Sequence, residues 1–305
     1  MDVGDLFSVA LYEGLVYGFV AVGVYLTFRV LAFPDLSVDG SFPLGGAIAA
    51  IMIVDGFNPW LATIAAFGAG ACAGLGTALL NTKLRINALL AGILMMVGLY
   101  SINLMIMGRP NIPLLREVTV FDQVSEWLNG IGVTLSSVHL SIVVMVVLVF
   151  AVLAILNWFL RTEIGLALRA TGDNEQMVRG LGTSTDMTTI LGVSLSNGLV
   201  ALSGALVAQN QGLTDIGMGI GMIIMGLASV IVGEGLFRPR GVAFTLLAVV
   251  GGAFAYRLIL GTALRLGMDP NNLKLITALL VIAALSIPYI RKKMRHEWIP
   301  PAARW

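Results

Sequence analysis

The sequence predicts an all-α, polytopic membrane protein of about nine membrane segments, some of them short or broken. Three observations predict it. Hydrophobic residues make up 58% of the chain and charged residues 11%, with a mean hydropathy of +0.93. A soluble domain carries about 25% charged residues because its surface must be solvated. Apolar stretches approaching the roughly 20 residues that a helix needs to cross a bilayer recur along the chain. Lysine and arginine gather in alternate loops. A net charge of +1 points to no nucleic-acid or acidic partner.

Stretches that qualify, or nearly so, are 8–31, 60–80, 88–107, 140–160, 187–208, 218–232, 242–260 and 273–290. A ninth, 41–54, is too short to span comfortably and is rich in small residues. Together they make one transmembrane domain over residues 1–290, followed by a basic tail, 291–305. The first residues lack the positive n-region of a cleavable signal peptide, so the first apolar stretch is expected to be retained. Cys72, the single cysteine, sits among alanines and glycines and reads as a small packing residue.

Orientation follows from the cations. Lys83 and Arg85, then Arg161, Arg169 and Arg179, then Arg238 and Arg240, and finally Arg291, Lys292, Lys293 and Arg295 all fall on one side, the cytoplasmic one. Nine crossings then put the N-terminus outside. The opposite loop, 108–137, sets Glu117, Asp122 and Glu126 against Arg109 and Arg116. Within it, residues 122–128 have the spacing of a short interfacial helix capped by Asp122, with Trp127 suited to the lipid boundary. This loop reads either as a partly ordered connector or as a docking surface for an external partner.

Three polar stretches interrupt the apolar pattern. In Phe33-Pro34-Asp35-Leu36-Ser37-Val38-Asp39-Gly40-Ser41-Phe42-Pro43, two prolines and two aspartates break the helix. Irregular backbone at membrane depth persists only inside protein or beside a water-filled cavity. Asp35 and Asp39 would cost several kcal/mol against lipid, so they are expected to face inward, reach an interface or pair, with Arg29 the nearby cation. Ser37 or Asp39 is a candidate cap for the helix starting near Phe42. The same residues also fit a cytoplasmic turn with capping aspartates and no further role.

In the second stretch, Gln209-Asn210-Gln211-Gly212-Leu213-Thr214-Asp215 leads into Gly217, Gly219 and Gly221. It echoes the first, and paired interrupted segments point to an inverted repeat. A water-wetted outer loop is the other reading. Asp35, Ser37, Asp39, Gln209, Asn210, Asp215, Gly217, Gly219 and Glu234 are the candidate residues of the broken helices and of any pathway between them.

The third stretch is the cytoplasmic loop 161–186. It contains two short helical pieces broken at Thr171-Gly172, with capping-box spacing between Asp173 and Gln176 and stops at Gly180 or Gly182. Met177, Val178 and Leu181 form an apolar stripe on a loop that should be wet, which calls for a protein partner or for folding back onto the chain's own helices or the lipid.

This loop resembles the coupling-helix region of the membrane subunits of bacterial ABC importers, most closely the branched-chain amino acid and ribose permease family. The resemblance rests on Gly165, Arg169, Ala170, Asn174 and Gly180-Leu181-Gly182. It rests also on Pro34-Asp35-Leu36-Ser37-Val38-Asp39-Gly40-Ser41, which is similar to the family's Asp-Leu-Ser-Val-Gly-Ser with Asp39 inserted. In Gly226-Leu227-Ala228-Ser229-Val230-Ile231-Val232-Gly233-Glu234-Gly235, Glu234 stands where the family usually has a second glycine. The matches run from about residue 31 to residue 241, and their order and spacing carry the weight. A tryptophan/tyrosine-type subgroup is also similar.

The resemblance implies a permease subunit in the bacterial cytoplasmic (inner) membrane, paired with a second copy of itself. Its partners would be two cytoplasmic ATPases and a periplasmic or lipid-anchored substrate-binding protein. ATP and magnesium would sit on the ATPases, and this chain would bind no cofactor. Gly165, Arg169, Ala170, Asp173, Asn174, Met177, Val178, Arg179, Gly180 and Leu181 would form the ATPase-coupling loop, with Arg169 and Arg179 meeting acidic rims.

The chain has no G-x-x-x-x-G-K-[ST] phosphate cradle. His139 and His296 sit at membrane edges far from candidate nucleophiles, so neither an enzyme nor a metal site is expected. The rival class is a secondary transporter or channel without an ATPase, with Asp35, Asp39 and Glu13 as buried proton or ion sites. A plain membrane anchor has no need of polar breaks. Met95-Met96 and the Met222/Met225 pair are expected to be packing rather than cavity lining. Few charges face the interior, which favours a small neutral or zwitterionic solute such as an amino acid.

Overall fold

The computed structural model describes residues 3–130, 136–269, 272–273, 275–282 and 286. Its helices follow the apolar stretches. α1 (Val3–Val24) continues into a π-helical turn, Tyr25–Val30, and is followed by α2 (Val38–Val54), α3 (Pro59–Thr82) and α4 (Ala88–Met107). Strand β1 (Asn111–Pro113) precedes α5 (Val120–Gly130), α6 (Ser137–Phe159), the short α7 (Glu163–Asp173) and α8 (Glu175–Gly180), and α9 (Thr185–Gln211). Strand β2 (Leu213–Asp215), a 3-10 turn (Ile216–Gly219), α10 (Met222–Phe237) and α11 (Val242–Arg265) follow.

Seven helices among the described residues are long and apolar enough to cross a membrane, and α2 is a shorter apolar one of 17 residues. The predicted segment 273–290 lies partly, and the tail 291–305 with His296 wholly, outside the described residues.

Local chemistry places the helix ends. The carboxamides of Asn58 and Asn87 accept from Trp60 N and Leu89 N, each at 2.9 Å, and open α3 and α4. Gly108 and Gly212, with φ of 64° and 70°, close α4 and α9 in the left-handed conformation that glycine adopts freely. The outer loop does form a helix, but Asp122 is not its N-cap. Thr119 holds that position: Asp122 N lies 3.4 Å from Thr119 Oγ1, while Thr119 N donates to Asp122 Oδ2 at 2.9 Å. This reciprocal pair is a capping box. Thr119→Ala is expected to weaken α5 by about 1 kcal/mol, measured as roughly fivefold faster amide exchange confined to that helix.

α9 runs through the middle of the bundle, packed against α1, α2 and α3. Small residues allow this closeness. A Cβ on Gly204 would lie 1.9 Å from the Phe42 carbonyl oxygen, so α2 and α9 touch backbone to backbone. Around that seam Phe19, Val20, Leu26, Phe42 and Leu206 are fully buried. α4 and α6 turn Val97, Met105, Val147 and Trp158 outward, as helices bordering lipid do. Cys72 is exposed rather than packed, because it lies off the buried stripe of Ala66, Gly70, Ala73 and Thr77 that faces the neighbouring helices.

The all-α expectation needs one amendment. β1 and β2 pair antiparallel, with Ile112 opposite Thr214, and tie the ends of α4 and α9 together. The ribbon, α5 and the C-terminus of α9 mark one end of the molecule. Lys83, α7 and α8 mark the other, where an ion pair of 3.5 Å joins Lys83 to Asp186 in the first turn of α9.

Candidate functional site

The two polar breaks meet beside the middle of α9. After the π-helical turn the chain is non-helical over 31–37, and Asp35 within it is wholly buried. Asp35 Oδ1 accepts from Ser37 N at 2.8 Å and from Ser37 Oγ at 2.6 Å. This Asx turn does the work expected of Ser37, which makes no side-chain cap to α2. From α9, Asn197 Nδ2 donates to Asp35 Oδ2 at 2.7 Å, and Ser41 Oγ donates to Asn197 Oδ1 at 2.6 Å. A polar turn persists among apolar helices because its groups are hydrogen-bonded to one another.

Asp39 does not cap α2 either. It lies in the first turn of α2 and reaches across to α10, where its Oδ2 accepts from Gly221 N at 3.0 Å and its Oδ1 from Ile223 N at 2.8 Å. The first N–H groups of a helix have no partner within the helix, and a carboxylate there is favoured by both hydrogen bonding and the helix dipole. Pro43 supplies no N–H to the Asp39 carbonyl. Gly219 packs there instead, so closely that a Cβ would lie 1.9 Å from that oxygen. Asp215 caps the 3-10 turn through Gly217 N, at 2.7 Å. Asp35, Ser37, Asp39, Asp215, Gly217 and Gly219 thus belong to one junction of two interrupted segments.

A cavity of about 400 Å³ opens beside this junction, lined among others by Asp39, Met96, Tyr100, Asn103 and Ile220. Asn103 Nδ2 donates to the Gly40 carbonyl at 3.1 Å, and its buried Oδ1 has no partner among the described residues. Met96 therefore lines a cavity, whereas Met225 packs in the core as expected. Asn197 and Asn103 were not among the sequence candidates. The signal that marks them is a carboxamide within an otherwise apolar span.

Other candidates lie apart from the junction. Arg29, the cation expected beside the two aspartates, pairs instead with Glu234, its Nε lying 3.1 Å from the Glu234 carboxylate. The π-helical turn, which precedes the break, directs Arg29 onto α10. Gln209 is buried, accepting from Val120 N at 3.1 Å and donating to Thr63 Oγ1 at 2.8 Å, so it ties α5 and α3 to α9. Asn210 is exposed, 3.4 Å from Ser141 Oγ.

In the basic loop, the break falls at Asp173-Asn174 rather than Thr171-Gly172. Asn174 is extended, at φ −158°, and its side chain accepts from Met177 N at 3.0 Å, replacing the expected Asp173–Gln176 box. Gly172 stays helical because its bare face is pressed on the π-helical turn: a Cβ would lie 1.9 Å from the Val30 carbonyl oxygen. Gly165 packs as closely on Phe159 and Leu160.

The apolar stripe divides. Val178 is buried, while Met177 and Leu181 are 53% and 76% exposed. Gly180 ends α8, Ala170 is half-buried, and Arg169 and Asp173 are exposed. Arg179 is engaged within the chain, at 2.6 Å from both Glu175 Oε1 and Thr185 Oγ1. Of the two arginines expected at acidic rims, Arg169 is the one without such an engagement among the described contacts.

Long apolar helices, interrupted at a shared polar junction and followed on the basic side by a short helix pair, define a multi-pass membrane permease. The chain belongs to the family described as branched-chain amino acid transport system / permease component, whose model matches residues 6–285. It is 41% identical over 292 residues to the tyrosine transport system permease protein of Clostridioides difficile (strain R20291), covering 94% of each chain. It is 29% identical over 169 residues to the galactofuranose transporter permease protein of Escherichia coli (strain K12), covering 55% of this chain and 46% of that one. Among solved structures it is similar to an inward-facing ABC transporter of metal-chelate type, at 16% identity and a TM-score of 0.48, covering 94% of this chain and 85% of that one. The protein is the permease component of an ABC transporter in the cytoplasmic (inner) membrane.

Proposed function

We propose that this chain forms the translocation pathway of an ATP-driven importer for a small amino acid. Two copies would pair, each docked on a cytoplasmic ATPase and served by a periplasmic or lipid-anchored binding protein. The observation that carries the reading is the exposure of Met177 on α8 and of Leu181 just after it, two large apolar side chains at the basic end of the molecule. Such a patch fits a protein partner. α7 is wedged by Gly172 against the π-helical turn that leads into the 31–37 break, so force on α8 has a short route to the Asp35–Asp39 junction.

In this reading the basic end faces the cytoplasm, the chain crosses nine times, and the tail 291–305 lies inside. The breaks at 31–37 and 213–221 are corresponding parts of an inverted repeat, and the cavity beside Asp39 lines the pathway. ATP and magnesium bind the ATPase, and this chain carries no cofactor of its own. Amino-acid import is supported by the relative named for tyrosine transport and by a pathway with few charges. The secondary-transporter alternative is disfavoured by one contact. As a proton carrier Asp39 would have to give up its bonds to Gly221 N and Ile223 N.

Leu181→Asp and Met177→Asp test the docking surface. Both positions are exposed, so melting temperature is expected to be unchanged while ATPase co-purification and ATP-driven uptake fall at least about tenfold. Undiminished coupling in both variants removes the loop from the mechanism.

A further inference from the structure

At the end opposite α7 and α8, an ion pair lies inside two spans. Arg257 Nη1 of α11 donates to Glu13 Oε2 of α1 at 3.4 Å, and the guanidinium carbon stands 3.7 Å from the centre of the Tyr17 ring. Both residues sit well within helices apolar enough to cross a membrane. Ionisable groups there are expensive, and they mark functional sites by default. Among the described residues the other ion pairs lie at span ends or in loops.

Glu13 borders a cavity of about 330 Å³ between α1, α6 and α9, walled by Tyr12, Val16 and Tyr17 and rimmed by Asn210 and Gln211. That volume is at the lower end of the roughly 300–1,000 Å³ usual for small-molecule sites. The Glu13 side chain is 37% exposed and that of Arg257 18%, so the carboxylate fronts the cavity and the guanidinium backs it. A front carboxylate calls for a cation, the rim carboxamides offer donors to an anion, and the walls between are aromatic and aliphatic. The Tyr17 ring also stacks on Phe42, with centroids 6.0 Å apart, which links this cavity to the first turns of α2.

We propose that this cavity binds a zwitterionic α-amino acid with an apolar or aromatic side chain. The ammonium group meets Glu13, the carboxylate meets the amides of Asn210 and Gln211, and the side chain lies along Tyr12 and Val16. The site rests on the amino-acid reading above and gives it an entry point at the end away from the ATPase. The ammonium could also come from the ethanolamine headgroup of a lipid, and the test separates the two sources.

Purified full-length permease, without binding protein or ATPase, is titrated with radiolabelled L-tyrosine and L-leucine in phosphatidylglycerol nanodiscs. Saturable binding of at least one is expected, weakened about tenfold or more by Glu13→Gln. 4-Hydroxyphenylpropionate, which lacks the ammonium, is expected not to compete. No saturable binding of either amino acid, or unchanged affinity in Glu13→Gln, overturns the proposal. Should Glu13→Gln fail to fold, Gln211→Ala at the exposed rim decides: about threefold weaker binding supports the site, and no change overturns it.

Equal binding in phosphatidylethanolamine nanodiscs supports a free amino acid. Loss of binding there, with that lipid retained on the protein, overturns it in favour of the headgroup. ATP-driven uptake of an amino acid without binding at this cavity overturns the site alone, whereas uptake without an ATPase overturns the importer reading.

Discussion

Asn197→Asp is expected to be strongly disruptive, lowering stability by about 3–5 kcal/mol. The change sets a second carboxyl group against Asp35, which the Asn197 carboxamide now meets at 2.7 Å. Like charges at that distance cannot both be accommodated in a buried site. One partner must take up a proton or leave the cluster, and leaving would open the seam where α2 and α9 touch. The exchange variant, Asp35→Asn with Asn197→Asp, keeps one carboxyl and one carboxamide in the same two places. It preserves acceptors for Ser37 and Ser41 and is expected to recover most of the loss. Heating detergent-solubilised protein and following the folded peak by size-exclusion chromatography measures both variants. Equal melting of the single and exchange variants would show that the pairing does not stabilise the junction.

Asp39→Ala is expected to leave two donors at the N-terminus of α10 unsatisfied and to cost up to about 2–6 kcal/mol, since each unsatisfied buried donor costs about 1–3 kcal/mol. Its effect on transport should be larger than its effect on folding. Asp39 directly bonds the first turn of α2 to the N-terminus of α10, at 3.0 Å and 2.8 Å. Asp39→Asn retains one acceptor and is expected to fall between wild type and alanine in both measurements. Uptake into proteoliposomes, normalised to folded protein, reads the transport effect. Wild-type uptake in Asp39→Ala would remove the junction from the pathway.

Much of this architecture is legible in the sequence because the bilayer imposes a one-dimensional rule. Apolar runs of span length become helices, and the stretches around Asp35 and Asp215 stand out because proline, aspartate and glycine interrupt those runs. What is not legible is which groups meet across the fold. Asp39 and Gly221 are 182 positions apart, and Asp35 and Asn197 are 162 apart. Their pairing depends on the register of α2 against α9, which backbone contact at Gly204 sets. Arg29 illustrates the failure. Sequence proximity favours Asp35 as its partner, but a π-helical turn rotates it onto Glu234.

The short helices of the basic loop are also readable, but their boundary is not the one local composition suggests. Local composition makes Thr171-Gly172 the weak point. Tertiary packing of Gly172 on Val30 holds the helix through it, and Asn174 breaks the chain instead, with its own side chain as the next cap. The exposure of Met177 and the burial of Val178, one residue on, likewise depend on how α8 lies on α9.

Whether transport is driven by a separate ATP-hydrolysing motor is decided most directly by reconstitution. Proteoliposomes containing the permease alone, under imposed proton and sodium gradients, are compared with proteoliposomes that also hold its ATPase, binding protein and ATP. Amino-acid uptake is expected only in the second set. Uptake by the permease alone, driven by either gradient, would contradict it.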